Sequence, residues 1–188
     1  MSTANDFMTP DELSQLGLAS CGTNVQVSRH ALILRPEKLS IGDHSRIDAF
    51  CVISPGDDGI WIGRHCHIST HVVILGRAQI RIDDLVGISV GSRVLSSTDD
   101  FSGDYLTGPS IPEHLRRVIS APIAVGRYSV LGANTVVLPG VTIGESAASG
   151  AGALIDADVA PLTLVGGVPA RVLKRRSARH RDLAAELD

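Results

Sequence analysis

Rings are scarce in this chain of 188 residues: one Trp, two Tyr and three Phe. A core built on aromatic packing is excluded by that count. Cysteine is equally sparse, and Cys21, Cys51 and Cys66 are odd in number and scattered, which rules out a fully paired disulfide framework. No apolar run approaches the roughly 18 residues of a membrane-spanning helix. The N-terminus also lacks the charged-then-apolar pattern of an export signal. Charge of one sign is missing as well, since a formal net charge of −3 leaves no broad surface for nucleic acid. These absences predict a cytoplasmic protein with no membrane insertion and no nucleic-acid partner. A chain of this length is about one domain with a real core.

What the chain has in quantity is Val, Ile, Leu, Ala and Gly, arranged with a period of six. Val125–Ile155 reads VGRYSV, LGANTV, VLPGVT, IGESAA, SGAGAL, I. An aliphatic residue leads almost every hexad (Val125, Leu131, Val137, Ile143, Ile155), and only Ser149 breaks the run. The fifth place holds a small residue or valine: Ser129, Thr135, Val141, Ala147, Ala153. A helix repeats every 3.6 residues and a strand every two, so neither explains a period of six. A parallel β-helix does, with each hexad forming one short side of a coil. Leading and fifth residues then point inward.

Earlier hexads are less regular. Thr9-Pro10-Asp11-Glu12 carries a capping box with Pro at the first helical position, and Gly17 is a stop, so a short helix should cover the open end of the stack. Hexads follow at Ile41, Ile47, Ile62, Ile68, Ile82 and Ile88, with Cys51 and Cys66 on the small place and therefore buried. After Val94 the phase is lost until Ile119, across a polar stretch rich in Pro and Gly. A long loop inside a regular solenoid points to function. The expected fold is all-β: a β-helix with an inserted loop at about 96–118, a short N-terminal helix and a helical C-terminal tail. Its boundaries are a cap over 1–24, the β-helix over 25–170 and a basic tail over 171–188.

The hexads, the loop and the closing GGVPARVLKRR together resemble the hexapeptide-repeat acyltransferases, over roughly residues 25–176. That resemblance implies a left-handed coil. It also implies a homotrimer, and acetyl-coenzyme A as acyl donor in the cleft between neighbouring subunits. Within His67-Ile68 and STDDFSGDYLTGP (97–109) the chain is similar to acetyltransferases of surface-polysaccharide clusters, some of which act on a nucleotide-linked 4-amino-4,6-dideoxy sugar.

Transfer from a thioester needs a base for the incoming nucleophile and a donor for the developing oxyanion. Histidine suits the first task. His65, His67 and His71 cluster in WIGRHCHISTHVV at outward places. His67 matches the family's HI pattern, and His71 falls near where other members carry a catalytic histidine. The resemblance departs at the loop. Galactoside acetyltransferases carry a catalytic histidine in a THP-like pattern there, and this chain has Asp99 and Asp100. These two are candidates to orient a histidine or to bind a substrate amine, and the plain alternative is that they start a turn. Ser102, Tyr105 and His114 are candidate acceptor contacts.

For the donor, pantetheine needs backbone groups it can approach closely. Gly132-Ala133 and Gly150-Ala151 are eighteen residues apart, one full coil, and so share an edge. Gly167, Pro169 and Arg171, with Lys174, Arg175 and Arg176, could bracket the nucleotide end. No metal is expected. Three alternatives stay open: O-acetylation of a free or polymer-linked sugar hydroxyl, a γ-type carbonic anhydrase with zinc on the clustered histidines, and a non-catalytic assembly subunit.

Overall fold

The fourth place of each hexad is where the chain turns. His44, Phe50, His65, His71, Leu85, Tyr128, Asn134 and Ser146 occupy it with φ between +54° and +63°. Gly91, Gly140 and Gly152 take the same place with φ of +71°, +86° and +70°. This left-handed conformation costs an L-residue on the order of 1–2 kcal/mol. Hydrogen bonds to the adjacent coil offset it: His44 N donates to Thr23 O at 2.8 Å, and His65 N to Asp43 O at 2.8 Å.

This computed structural model describes residues 6–184 and 186–187. The coils stack into three sheets of six, eight and six strands, parallel throughout except for the last strand of the second. Face one runs from Ser20–Cys21 to Thr142–Ile143, face two from Gln26–Val27 to Arg171–Arg175, and face three from Leu32–Ile33 to Leu154–Ile155. Neighbouring strands are held in strict register. Val27, Ile47, Ile68, Ile88, Leu131, Ser149 and Val165 form one inward column of face two, all buried. Each fully buried aliphatic contributes on the order of 1.5–3 kcal/mol. Ser149, the break in the aliphatic series, stays inside because its hydroxyl is satisfied. It accepts from Gly132 N at 3.1 Å and pairs with Thr135 Oγ1 at 2.7 Å.

Helix α1 (Pro10–Gln15) closes the first coil as expected. Thr9 Oγ1 accepts from Glu12 N at 3.3 Å, and Thr9 N donates to Glu12 Oε2 at 2.6 Å. Leu13 joins the core. The coil itself starts earlier than expected, with Ser20–Cys21 already paired to Ser40 and Ile41, so the cap ends before residue 24. Residues 1–5 of the expected cap lie outside the described residues. Cys51 and Cys66 are buried and unpaired, and burial pushes both thiols up to about 11.

Two expectations need correction. Ile119 does not restart the coil. It is 43% exposed and lies on an antiparallel ribbon, Ser97–Asp99 against Val118–Ser120, that lifts the inserted segment off the stack as an arm. The coil resumes at Ile123–Val125. The tail is not helical from 171 either. Arg171–Arg175 is a strand that folds back antiparallel on Thr163–Gly166. Only α2 (His180–Ala184) is helical, and His180 Nε2 meets Ser146 Oγ at 2.9 Å on a corner of the stack. Residues 185 and 188 of that tail lie outside the described residues. Among the described residues no helix is long and apolar enough to cross a membrane.

Because Ile68 is fully buried in this column, Ile68→Ala should lower stability by about 3 kcal/mol. Denaturant unfolding followed by far-UV circular dichroism measures this, and a loss below about 1 kcal/mol would contradict the packed column.

Candidate active site

The donor candidates gather on one edge of the stack. Gly132 N donates to Ser149 O at 3.1 Å, Gly150 N to Val165 O at 2.8 Å, and Gly152 N to Ala133 O at 2.7 Å. The two glycines differ in why they are small. A Cβ on Gly132 would come within 2.6 Å of Ser149 O and 2.8 Å of Ala151 N, so coil stacking alone demands glycine there. A Cβ on Gly150 would meet only Val165 O at 3.7 Å, so packing leaves that place free for a side chain. Ala151 is exposed. The next step up is the turn Gly166–Ala170, where Gly167 has φ +97° and Pro169 follows a cis bond. Leu154 N donates to Gly167 O at 3.0 Å, which seats this turn beside the same edge. Arg171, Lys174 and Arg175 extend from it on a fully exposed strand. Arg176 is turned inward instead, its Nη1 donating to Ser146 O and Ala147 O at 2.7 and 2.8 Å.

The three clustered histidines diverge. His65 stacks on His44 at one corner, with ring centroids 4.8 Å apart. His71 sits at the next corner, its ring 5.1 Å from Phe50 and its Nδ1 2.9 Å from Thr70 Oγ1. His67 lies between them on the outer side of face two, its Nε2 2.8 Å from Asp48 Oδ2. Asp48 also accepts from Arg46 Nε at 2.6 Å. Burial raises the Asp48 pKa, but the bonds from His67 and Arg46 outweigh it and hold the carboxyl below its ordinary value. Three ring nitrogens aimed at three places do not form a metal site. Among the described residues no group of three or more His, Cys, Asp or Glu is arranged to hold an ion.

The arm carries the other candidates. Asp99 ends its first strand, opposite Val118. Asp100 is buried, accepts from Ser102 N at 2.8 Å and from the Ser102 hydroxyl, and is lowered in pKa chiefly by that hydroxyl. Its carboxylate is thus engaged in closing a turn. Tyr105 lies 5.8 Å from the Arg117 guanidinium, and His114 sits in the single turn Glu113–Leu115 on the arm surface. Among the described residues no hydrogen bond, ion pair or ring contact joins Asp99 or Asp100 to His67 or His71. Asp48 escaped the sequence reading. Its one signal was that residues 20 or 21 apart stack in the early coils, which sets Arg46 opposite His67 and brings Asp48, two places on, to its diagonal.

No family model matches the chain. The chain is 33% identical over 173 residues to a dTDP-4-amino-4,6-dideoxy-D-glucose acyltransferase of Escherichia coli, covering 92% of this chain and 90% of the relative. It is 26% identical over 157 residues to the galactoside O-acetyltransferase of Escherichia coli strain K12, covering 82% and 72%. The structure of AntD, an N-acyltransferase from Bacillus cereus in complex with dTDP and 3-hydroxybutyryl-CoA, matches with a TM-score of 0.93 at 33% identity, covering 97% and 96% of the two chains. A variant of AntD in complex with dTDP-4-amino-4,6-dideoxyglucose and coenzyme A gives 0.94 at 32%, covering 98% and 97%. The coil is left-handed, as in that fold.

The Asp48 carboxylate stabilises the fold above the pKa it has in the unfolded chain, and that contribution is lost as pH falls through its lower folded value. Asp48→Asn should therefore lose less stability than the wild type when urea unfolding at pH 7 is compared with unfolding near pH 3. Equal losses would remove Asp48 from the acid response.

Proposed function

Since the chain belongs to the hexapeptide-repeat sugar acyltransferases, we propose that it acylates the amine of a nucleotide-linked 4-amino-4,6-dideoxy sugar with acetyl-coenzyme A as donor. The observation that carries this reading is the match over nearly the whole chain to an enzyme of that activity, together with AntD, solved with both dTDP-sugar and coenzyme A. The arm fits the amine acceptor. Asp99 offers a carboxylate at the end of a ribbon, the group that pairs with an ammonium before it is deprotonated.

In the reaction the neutral amine attacks the thioester carbonyl. The C–N bond forms, the C–S bond breaks, coenzyme A leaves as the thiolate, and the amine proton passes to a base. His67, held by Asp48, is one candidate for that base, and His71 is the other. Asp99 holds the amine. Asp100 shapes the arm around it through Ser102, with Tyr105 and His114 as outer acceptor contacts. The edge Gly132-Ala133, Gly150-Ala151 carries the pantetheine. Gly167, Pro169, Arg171, Lys174 and Arg175 meet the nucleotide end, where exposed cations favour phosphate.

The same reading includes a homotrimer. Its support is an outward aliphatic column on face three, Leu32, Val52, Val73, Val136 and Leu154, interrupted only by Arg93. Leu32 and nearby Leu34 and Phe50 are 52%, 44% and 55% exposed in the single chain, a patch that a neighbouring subunit would cover. A reducing cytoplasm suits the unpaired Cys51 and Cys66.

Thiol release from acetyl-coenzyme A should proceed with dTDP-4-amino-4,6-dideoxyglucose and not with the counterpart bearing a 4-hydroxyl. Turnover of only the hydroxyl sugar would favour the O-acetyltransferase alternative. Asp99→Asn should lower kcat/KM on the order of 10²-fold, and unchanged turnover would remove Asp99 from the site. A monomer in light scattering would remove the trimer.

A further inference from the structure

At the foot of the arm lies an open cavity of about 230 Å³ lined by Arg77, Glu113, Arg116 and Val118. Two guanidinium groups and one carboxylate leave it net positive. Arg116 is the unusual member. Its side chain is only 14% exposed, its guanidinium meets Glu113 Oε1 no closer than 3.8 Å, and its Nε is buried with no hydrogen-bond partner among the described residues. Folded proteins leave very few buried donors unpaired, because desolvation is then uncompensated. Arg77 stands across the cavity on a coil corner, exposed, its backbone N tied to Ser97 Oγ at 3.3 Å. Among the described residues its side chain has no ion-pair partner, whereas Arg116 has Glu113 at 3.8 Å.

The pleat sets what this cavity faces. Asp99 is directly opposite Val118, and cross-strand partners project from the same face of a ribbon. Arg116 precedes Val118 by two residues and is extended, with φ −125° and ψ 154°, so it shares that face. Arg117 takes the other face, where its guanidinium lies 5.8 Å from the Tyr105 ring, while its carbonyl accepts from Asp100 N at 3.0 Å within the ribbon. The two adjacent aspartates are thereby separated: Asp99 shares a face with the arginine cavity, while Asp100 shares one with Ser102 and Arg117.

We propose that Arg77 and Arg116 form the subsite for the diphosphate of the acceptor, on the same face of the arm as Asp99. The inference rests on the acceptor being a nucleotide-linked amino sugar. The cavity is smaller than the roughly 300–1,000 Å³ of a site for a whole small molecule, which fits a charged group rather than the complete nucleotide. Guanidinium forks match phosphate oxygens in pairs, and Arg77 and Arg116 bring two such forks to one cavity. The spacing fits as well. Two residues along a strand span about 7 Å, comparable to the reach across a pyranose ring from an anomeric phosphate to an amine on the far side. An acceptor lying along the ribbon has its phosphates at Arg116 and its amine at Asp99. Glu113 competes with the phosphate for Arg116, and as an exposed side chain it is free to swing away.

Isothermal titration of the full chain with inorganic diphosphate and with dTDP tests the site, alongside KM for dTDP-4-amino-4,6-dideoxyglucose and for acetyl-coenzyme A. Arg77→Ala and Arg116→Lys should each weaken both anions and raise the acceptor KM by about 10-fold, with KM for acetyl-coenzyme A little changed. Glu113→Gln should tighten diphosphate, because it removes the one carboxylate lining the cavity. Because Arg77 is exposed, its variant keeps the test valid if Arg116→Lys disturbs the arm. Unchanged anion affinity and acceptor KM in Arg77→Ala, with no tightening in Glu113→Gln, would overturn the proposal. If the wild type turns over no nucleotide-linked amino sugar yet binds diphosphate in an Arg77-dependent way, the assigned reaction fails and the anion site stands.

Discussion

Everything in this molecule depends on register between coils. Within the stack each inner strand is bonded to the strand one coil below and the strand one coil above. An inward place is therefore buried at every level of the stack, as it is from Val27 to Val165, and the one polar member, Ser149, is tolerated because its hydroxyl is bonded. The same constraint governs the corners. A left-handed residue at the fourth place is tolerable because its amide is satisfied by the coil beneath. Outward side chains then stand in columns that no short-range sequence rule connects, and the functional candidates are members of those columns or of the places where stacking stops.

Chemistry is concentrated at those stops. The regular walls supply shape: an edge where Gly132 is small because the next coil presses on it, and where Gly150 is small although nothing presses. The interruptions supply charge. The arm leaves the stack after face three and turns one aspartate to each side of its ribbon. The turn Gly166–Ala170 and the strand after it bring three exposed cations to the end of the glycine edge.

The late coils were legible because they are eighteen residues long, as from Leu131 to Ser149, which is three unbroken hexads. The early coils are longer: Ile47 to Ile68 is 21 residues and Ile68 to Ile88 is 20. The extra two or three residues sit in one corner and shift the phase. Pairings such as Asp48 with His67 therefore carry no fixed sequence separation. Ile119 misled for the opposite reason. It falls six residues before Val125 and is aliphatic, yet its strand belongs to the arm, where hydrogen bonds to Thr98 replace the coil ladder. The helical tail was misjudged because its basic composition suits either a solvated helix or an exposed edge strand. Backbone pairing with Thr163–Gly166 decided for the strand.

That returning strand has a consequence for how molecules meet. A parallel solenoid is in principle an open template, since its last coil offers the same unpaired backbone that every inner coil uses to hold the next. Here the template is cancelled at both ends. α1 lies over the first coil, and at the other end the chain reverses direction along Arg171–Arg175 while Ala170 N takes the carbonyl of Leu154. A second molecule approaching end-on finds a strand of the wrong polarity studded with positive charge. A five-residue change of direction thus replaces a stackable parallel end with a charged strand of opposite polarity, an edge that disfavours end-on growth.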